Sequence, residues 1–325
     1  MAKYQQLLVY QEPQHIQTNE EKAVPLTSLI DYFNDQISQS EFRILPDQPL
    51  VLRDGRVVGR FATVLLTSAF QIVVRARDPE CVIGHEALLR AYMGNGQPIA
   101  PRALLRAPRS PQAVVYLDRL CRMVHMLNYL AQRESRSSPL FVNVRTEHLL
   151  RVPDNHGWYF EQVLQRCGLT PQHVVIDVHA SAIQDAHAGQ VHTALANYRE
   201  RGYRVSIEDL DLAEGVFDLL WRVRADIVKL DVRSLLRADK SQRGRLHRLA
   251  EHTPIEIIAT GVETSEQART ARAFNVDGLQ GFYFGAPEAD PLEHPREMAH
   301  GVLEARAWAR VPSLACPDAR LQFCC

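Results

Sequence analysis

The chain predicts an α/β fold: a TIM-like (βα)8 barrel with an antiparallel first strand, preceded by a small N-terminal extension. Three observations carry this expectation. Apolar runs alternate with helical stretches from about residue 68 to about residue 290, as a parallel sheet with helices outside requires. The strand candidates number eight, which is the natural count for closure. Most of the runs also end in a polar residue at the same relative place, which is how such a barrel assembles a site from its strand ends.

The elements follow in order. The first 24 residues are polar and aperiodic, and VPLTSLIDYFNDQI then has apolar residues near helical spacing. PLVLRDGRVVGRF places Asp54-Gly55 between alternating apolar residues, a hairpin signal. We take residues 1–65 as an extension without an assignable motif, 66–310 as the barrel and 311–325 as a tail. Strands are expected at QIVVRA, CVIGHEA, LFVNV, HVVIDV, RVSIED, DIVKLD, IEIIAT and VDGLQGFYF. The first two are joined by ARDPE, too short for a helical crossover, so they run antiparallel. Helices are expected at LDRLCRMVHMLNYLAQR, WYFEQVLQRCG, VHTALANYRERG, VFDLLWRVR, SQRGRLHRLAEH and SEQARTARAFN. Gly168, Gly202 and Asn275 suit left-handed C-caps. LEHPREMAHGVLEARAWARV reads as a last helix.

Composition bounds the function. The 325 residues can bury a large single core, and they are 46% hydrophobic and 23% charged with a net charge of -1. That balance gives no electrostatic case for a nucleic-acid polymer or an anionic membrane as partner. The start, MAKYQQLLVYQEPQ, lacks the basic-then-apolar pattern of a signal peptide, and FATVLLTSAFQIVV is too short and interrupted to span a bilayer. The six cysteines show no C-x-x-C spacing and read as reduced thiols; the expected compartment is the cytoplasm.

The polar tips are Glu86, Asn143, Asp177, Glu208 with Asp209, Lys229 with Asp231, and Gln280; EIIATGVE instead ends its run on Thr260. Lys229 is placed to pair with Asp177 or Asp209 inside the barrel. His85 and His179 flank the ring, though among thirteen histidines chance placement is the simpler account. Each tip also has a bland reading as a cap or as the partner of a loop amide.

In order, GHEALLR (84–90), FVNV (141–144), IDVHAS (176–181), IEDLDLAEG (207–215), KLD (229–231), ATGVE (259–263) and QGFYFGAP (280–287) resemble the motif series of the EAL domain, the bacterial cyclic-di-GMP phosphodiesterase family. FQIV (70–73) is similar to the start of that series, and residues 1–65 show no GGDEF domain. The resemblance implies a metal site of Glu86, Asn143, Asp177, Glu208 and Asp209, in which Thr260 stands where a glutamate is expected. It implies catalytic places for Glu86, Lys229 and Glu263, nucleotide contacts for Gln71, Arg90 and Gln280, and a homodimer. It also implies Mg²⁺ or Mn²⁺, hard ions suited to oxygen ligands.

The departures from that pattern bear on chemistry. Phosphodiester hydrolysis uses two metals about 3.5–4 Å apart. Asp177 stands for a glutamate and Glu208 for an aspartate, and a displacement of about 1 Å can cost roughly 10²-fold in rate. Thr260 supplies no charge, Ala180 replaces an acid, and Asp211, Leu212 and Ala213 replace Gly-Thr-Gly in the loop implied to make the dimer contact. A single-metal site remains, and hydrolysis is expected to be absent or very slow. Three functions stay open: a degenerate, non-catalytic cyclic-di-GMP receptor or regulator acting on a protein partner; a protein-interaction module that has lost the nucleotide; and a metal-dependent phosphodiesterase yielding pGpG.

Overall fold

The protein's computed structural model describes residues 25–38, 48–131, 138–152, 156–184, 187–210, 212 and 216–289. The sequence-predicted final helix at 292–311 and the tail lie outside these residues, as do the first 24.

Eleven strands form one sheet: β1 (Leu50–Arg53), β2 (Arg56–Phe61), β3 (Val64–Arg75), β4 (Val82–Met93), β5 (Pro98–Ile99), β6 (Leu140–Asn143), β7 (Val174–His179), β8 (Arg204–Glu208), β9 (Ile227–Asp231), β10 (Glu256–Thr260) and β11 (Gly278–Leu279). Eight of them close a barrel in the order β3-β4-β6-β7-β8-β9-β10-β11, with β11 returning to β3. Only β3 runs against its neighbours, antiparallel to both β4 and β11; the other barrel pairs are parallel. Closure leaves no open edge around the barrel.

The last strand is shorter than the sequence suggests, two residues where VDGLQGFYF reads as nine. Gly281 explains the stop. A Cβ there would lie 2.1 Å from the Val262 carbonyl oxygen, so the chain crosses the loop after β10 at backbone contact distance. Gln280 N–H donates to Ala259 O, and Val262 N–H donates to Gln280 O, which turns the chain inward.

The helix Leu26–Ser38 and the β1–β2 hairpin, turning at Asp54–Gly55, are built into the sheet: β2 pairs with β3. Leu29, Ile30, Phe33 and Ile37 of that helix join the main core. Asn128, in the long helix Pro111–Ala131, accepts from Val57 N–H and donates to Val57 O, each at 2.8 Å, so one amide satisfies a strand residue in both directions. Because the hairpin covers one side of this helix and the barrel the other, most of its residues are buried.

A second, smaller apolar cluster plugs the barrel interior: Val73, Phe141, Val175, Ile227 and Ile258 from β3, β6, β7, β9 and β10. Strand side chains alternate, so residues two positions along point into the same interior. Those residues are Gln71, Asn143, Asp177, Lys229 and Thr260. The site is therefore one rung above a dry plug.

Candidate functional site at the barrel mouth

Lys229 is the centre of the site. Its ammonium is 2% exposed, donates to Glu86 Oε2 at 2.8 Å and also bonds Asp177 Oδ2, and stands 4.6 Å over the Phe141 ring. It does not pair with Asp209, one of the two partners expected for it. Glu86 takes two further bonds, from Gln280 Nε2 at 2.8 Å and from Asn143 Nδ2 at 3.3 Å. Gln280 Nε2 also donates to Gln71 Oε1 at 3.3 Å, and Gln71 Nε2 donates to the Gly285 carbonyl at 3.0 Å.

The electrostatics follow from burial against charge. For Glu86, burial raises the carboxyl pKa, but Lys229 and the two amides outweigh it and the net shift is downward. Asp177, fully buried, moves upward because burial exceeds the pull of Lys229. Lys229 moves up: burial opposes its charge, and the surrounding carboxylates overcome that. Glu208 is pushed up to about 8, first by burial and then by the charge of Asp177.

The structure brings together Glu86, Asp177 and Glu208, with ligand oxygens all within 4.8 Å of one another. The buried Gln280 Oε1 beside them has no hydrogen-bond donor, while the buried Ser206 hydroxyl is within hydrogen-bonding reach of Asp177. An orphaned acceptor is costly unless a cation or donor reaches it. The all-oxygen donor set fits a hard divalent ion.

Other sequence candidates stand apart. Asp209 has a left-handed φ of 53°, and its exposed carboxylate lies 3.3 Å from His179 Nε2; it is outside the three-acid group, though its charge acts on Glu208. Thr260, half-buried, is the register partner of Asp231, whose carboxylate caps the following helix and pairs with Arg233. Glu263 is exposed on the loop before helix Ser265–Arg272. Arg90 lies four residues beyond Glu86 on β4, half-buried, with Nη1 donating to Leu89 O. His85 points out of the barrel to Ser138 and Tyr129. The sequence reading missed Ser206, fully buried in register with Asp177, and Phe141 under Lys229; the period-two parity of their strands marks both as interior.

Comparison with known proteins supports the motif reading. The family model described as the EAL domain matches residues 60–287. The chain is similar to a probable cyclic di-GMP phosphodiesterase, PdeD, of Escherichia coli strain K12, at 26% identity over 233 residues, covering 67% of this chain and 40% of the relative. The chain thus spans well under half the length of that relative. Among solved structures, BlrP1 of Klebsiella pneumoniae in complex with manganese and cyclic di-GMP superposes with a TM-score of 0.59 at 22% identity, covering 76% of this chain and 58% of that one. The FimX EAL domain of Pseudomonas aeruginosa bound to cyclic di-GMP gives 0.58 at 17% identity, covering 82% and 97%. At these identities the likeness is one of fold. The family match spans most of the chain and coincides with the closed barrel and its ordered polar tips; this chain belongs to the EAL domain family.

Proposed function

We propose that this chain is a degenerate EAL protein that binds cyclic di-GMP at the barrel mouth without turning it over, and passes the bound state to a regulatory protein partner. The observation that carries this reading is the contraction of the carboxylate ring. Three acids converge, Lys229 neutralises charge on two of them, Thr260 adds none, and Asp209 is engaged by His179. A two-metal phosphodiester clamp needs charge for both ions. What remains suits one ion at most: Glu86, Asp177 and Glu208, with Asn143, would hold a single Mg²⁺ or Mn²⁺. Such an ion supplies charge neutralisation for a nucleotide phosphate. Arg90 adds a guanidinium for the phosphate, and the Gln71–Gln280 pair orients the amide that faces Glu86.

A second reading, slow metal-dependent hydrolysis to pGpG, is favoured by the convergence of three acids whose oxygens lie within 4.8 Å and by the unpartnered Gln280 Oε1. Calorimetric titration with cyclic di-GMP, with and without Mn²⁺, alongside chromatography of the products, separates the two. Micromolar binding without pGpG is the expected result. Turnover above about one per hour, abolished by Glu86→Ala, overturns it in favour of hydrolysis; no binding at all leaves a protein-interaction module.

A further inference from the structure

A second buried charged group lies outside the barrel mouth, between the long helix Pro111–Ala131 and the helix Thr146–Arg151. Asp118 and Arg122, one helical turn apart, pair at 2.7 Å with side chains 3% and 4% exposed. His148 joins them: its Nε2 is 3.1 Å from Arg122 Nη2 and its Nδ1 is 3.2 Å from Asp118 Oδ2. Arg122 can only donate, so Nε2 accepts and the proton of the neutral ring sits on Nδ1, which lies near Asp118 without a hydrogen bond to it. Arg122 Nη1 donates onward to Tyr198 OH at 3.0 Å. A buried ion pair of this kind roughly breaks even against a hydrophobic replacement, so stability alone does not account for it.

The remaining oxygen of Asp118 shows what the group does. Oδ1 accepts the backbone N–H of Arg145 at 3.4 Å. Arg145 is two residues past Asn143 and is the N-cap of the helix that carries His148, with no side-chain cap bond of its own. Between them, Val144 N–H donates to Asp177 O at 2.9 Å. The short segment bearing Asn143 is thus held on one side by the backbone of Asp177 and on the other by Asp118. Asn143 is itself exposed at the barrel mouth, yet its amide reaches Glu86 Oε1.

We infer that Asp118, ion-paired with Arg122 and standing beside His148, is a positioning residue that accepts from the Arg145 N–H, clamps the segment 143–145 and so sets the Asn143 carboxamide against Glu86. The inference rests on the reading of Glu86 and Asn143 as ligand-contacting groups. Groups of this kind, which orient a metal ligand from behind, typically change metal affinity 10- to 100-fold when removed.

The test compares Asp118→Asn, which keeps the size and removes the charge, with Asn34→Ala, which cuts the Asn34–Leu50 bonds far from this loop and controls for stability lost elsewhere. His148→Gln is a milder variant, used if Asp118→Asn does not fold. Mn²⁺ affinity is read by electron paramagnetic resonance, and deuterium uptake is followed over residues 140–151, both at a temperature where all the proteins are folded by circular dichroism. Asp118→Asn is expected to lose about tenfold in Mn²⁺ affinity and to gain uptake at 143–146, with His148→Gln losing about threefold and the control within twofold of wild type. Affinity within twofold of wild type in the Asp118 or His148 variant overturns the inference, as does an equal loss in the control. Failure of wild type to bind Mn²⁺ or nucleotide defeats the functional reading instead; the uptake result still decides the clamp, which falls if 143–146 exchange as in wild type.

Discussion

Replacing Lys229 with methionine tests the electrostatic heart of the site. The ammonium lies 2.8 Å from Glu86 Oε2 and also bonds Asp177, which is fully buried. At an effective dielectric near 20, one such contact is worth about 6 kcal/mol before the cost of desolvation is subtracted. Methionine fills the space but leaves two buried carboxylates without their cation, and breaking a buried pair in this way typically costs about 3–5 kcal/mol. The pH dependence carries the sharper test. Without Lys229, the folded-state pKa values of both carboxyls rise above their unfolded values of about 4. A raised folded pKa gives stability that is present at low pH and lost as pH rises, so the deficit of the variant relative to wild type is largest near neutrality and shrinks on acidification. Urea unfolding followed by circular dichroism at pH 7.5 and pH 5 measures both. The expected deficit is about 4 kcal/mol at pH 7.5, and smaller by at least about 1 kcal/mol at pH 5. A deficit below about 1 kcal/mol at pH 7.5, or one equal at the two pH values, refutes the assignment of Lys229 as the counter-ion of the cluster.

Three further outcomes are expected. His125, bonded through Nδ1 to Ser68 Oγ at 2.8 Å, is pushed down to about 4 by burial and then by the nearby charge of Arg90. Its lowered folded pKa costs stability as pH falls from 6.5 toward 4, by about 3 kcal/mol in full, and His125→Gln should flatten that limb of the stability profile; an unchanged limb refutes it. Gly281→Ala places a methyl 2.1 Å from Val262 O, and thermal melts should show a loss above about 2 kcal/mol together with weaker ligand binding; a wild-type melting temperature would mean the crossing relaxes freely. Thr260→Glu places an acid at the end of β10, and pGpG, not formed by wild type, should become detectable by chromatography; no product would place the fault in the loop at 210–215.

The barrel was legible in the sequence because its two signals are local. Apolar runs such as VVID and IVKL are buried on both faces, and the period-two alternation carries Asp177 and Lys229 inward whatever the rest of the fold does. The antiparallel first strand followed from the length of one turn. The short β11 was not legible, since Gly281 stops it through contact with Val262, some twenty residues earlier in the chain. The partner of Lys229 was half legible. Asp177 and Asp209 both end apolar runs in the sequence, but Asp209, at a left-handed φ, pairs with His179 instead, and φ at a single non-glycine residue leaves no trace in composition. Glu86, which became the second partner, lies across the barrel on β4, and only closure brings it there.

Closure also explains how one tip of the ring can change while the others keep their places. Each polar tip sits on its own strand above an interior layer of Val73, Phe141, Val175, Ile227 and Ile258. That layer and the hydrogen-bonded ladder hold the strands in register below the tips, so a tip such as Thr260 can differ in charge while its strand stays paired with its neighbours. A site of this construction can lose a metal ligand while the remaining rim keeps its geometry. The cation Lys229 then matters more: burial and the charge of Asp177 push Glu208 toward its neutral form, and the ammonium offsets charge on Glu86 and Asp177, so the mouth carries less negative charge than its count of acids. A cluster of reduced negative charge repels a dianionic nucleotide weakly and holds a second divalent ion poorly, which is the balance that the proposed receptor function requires.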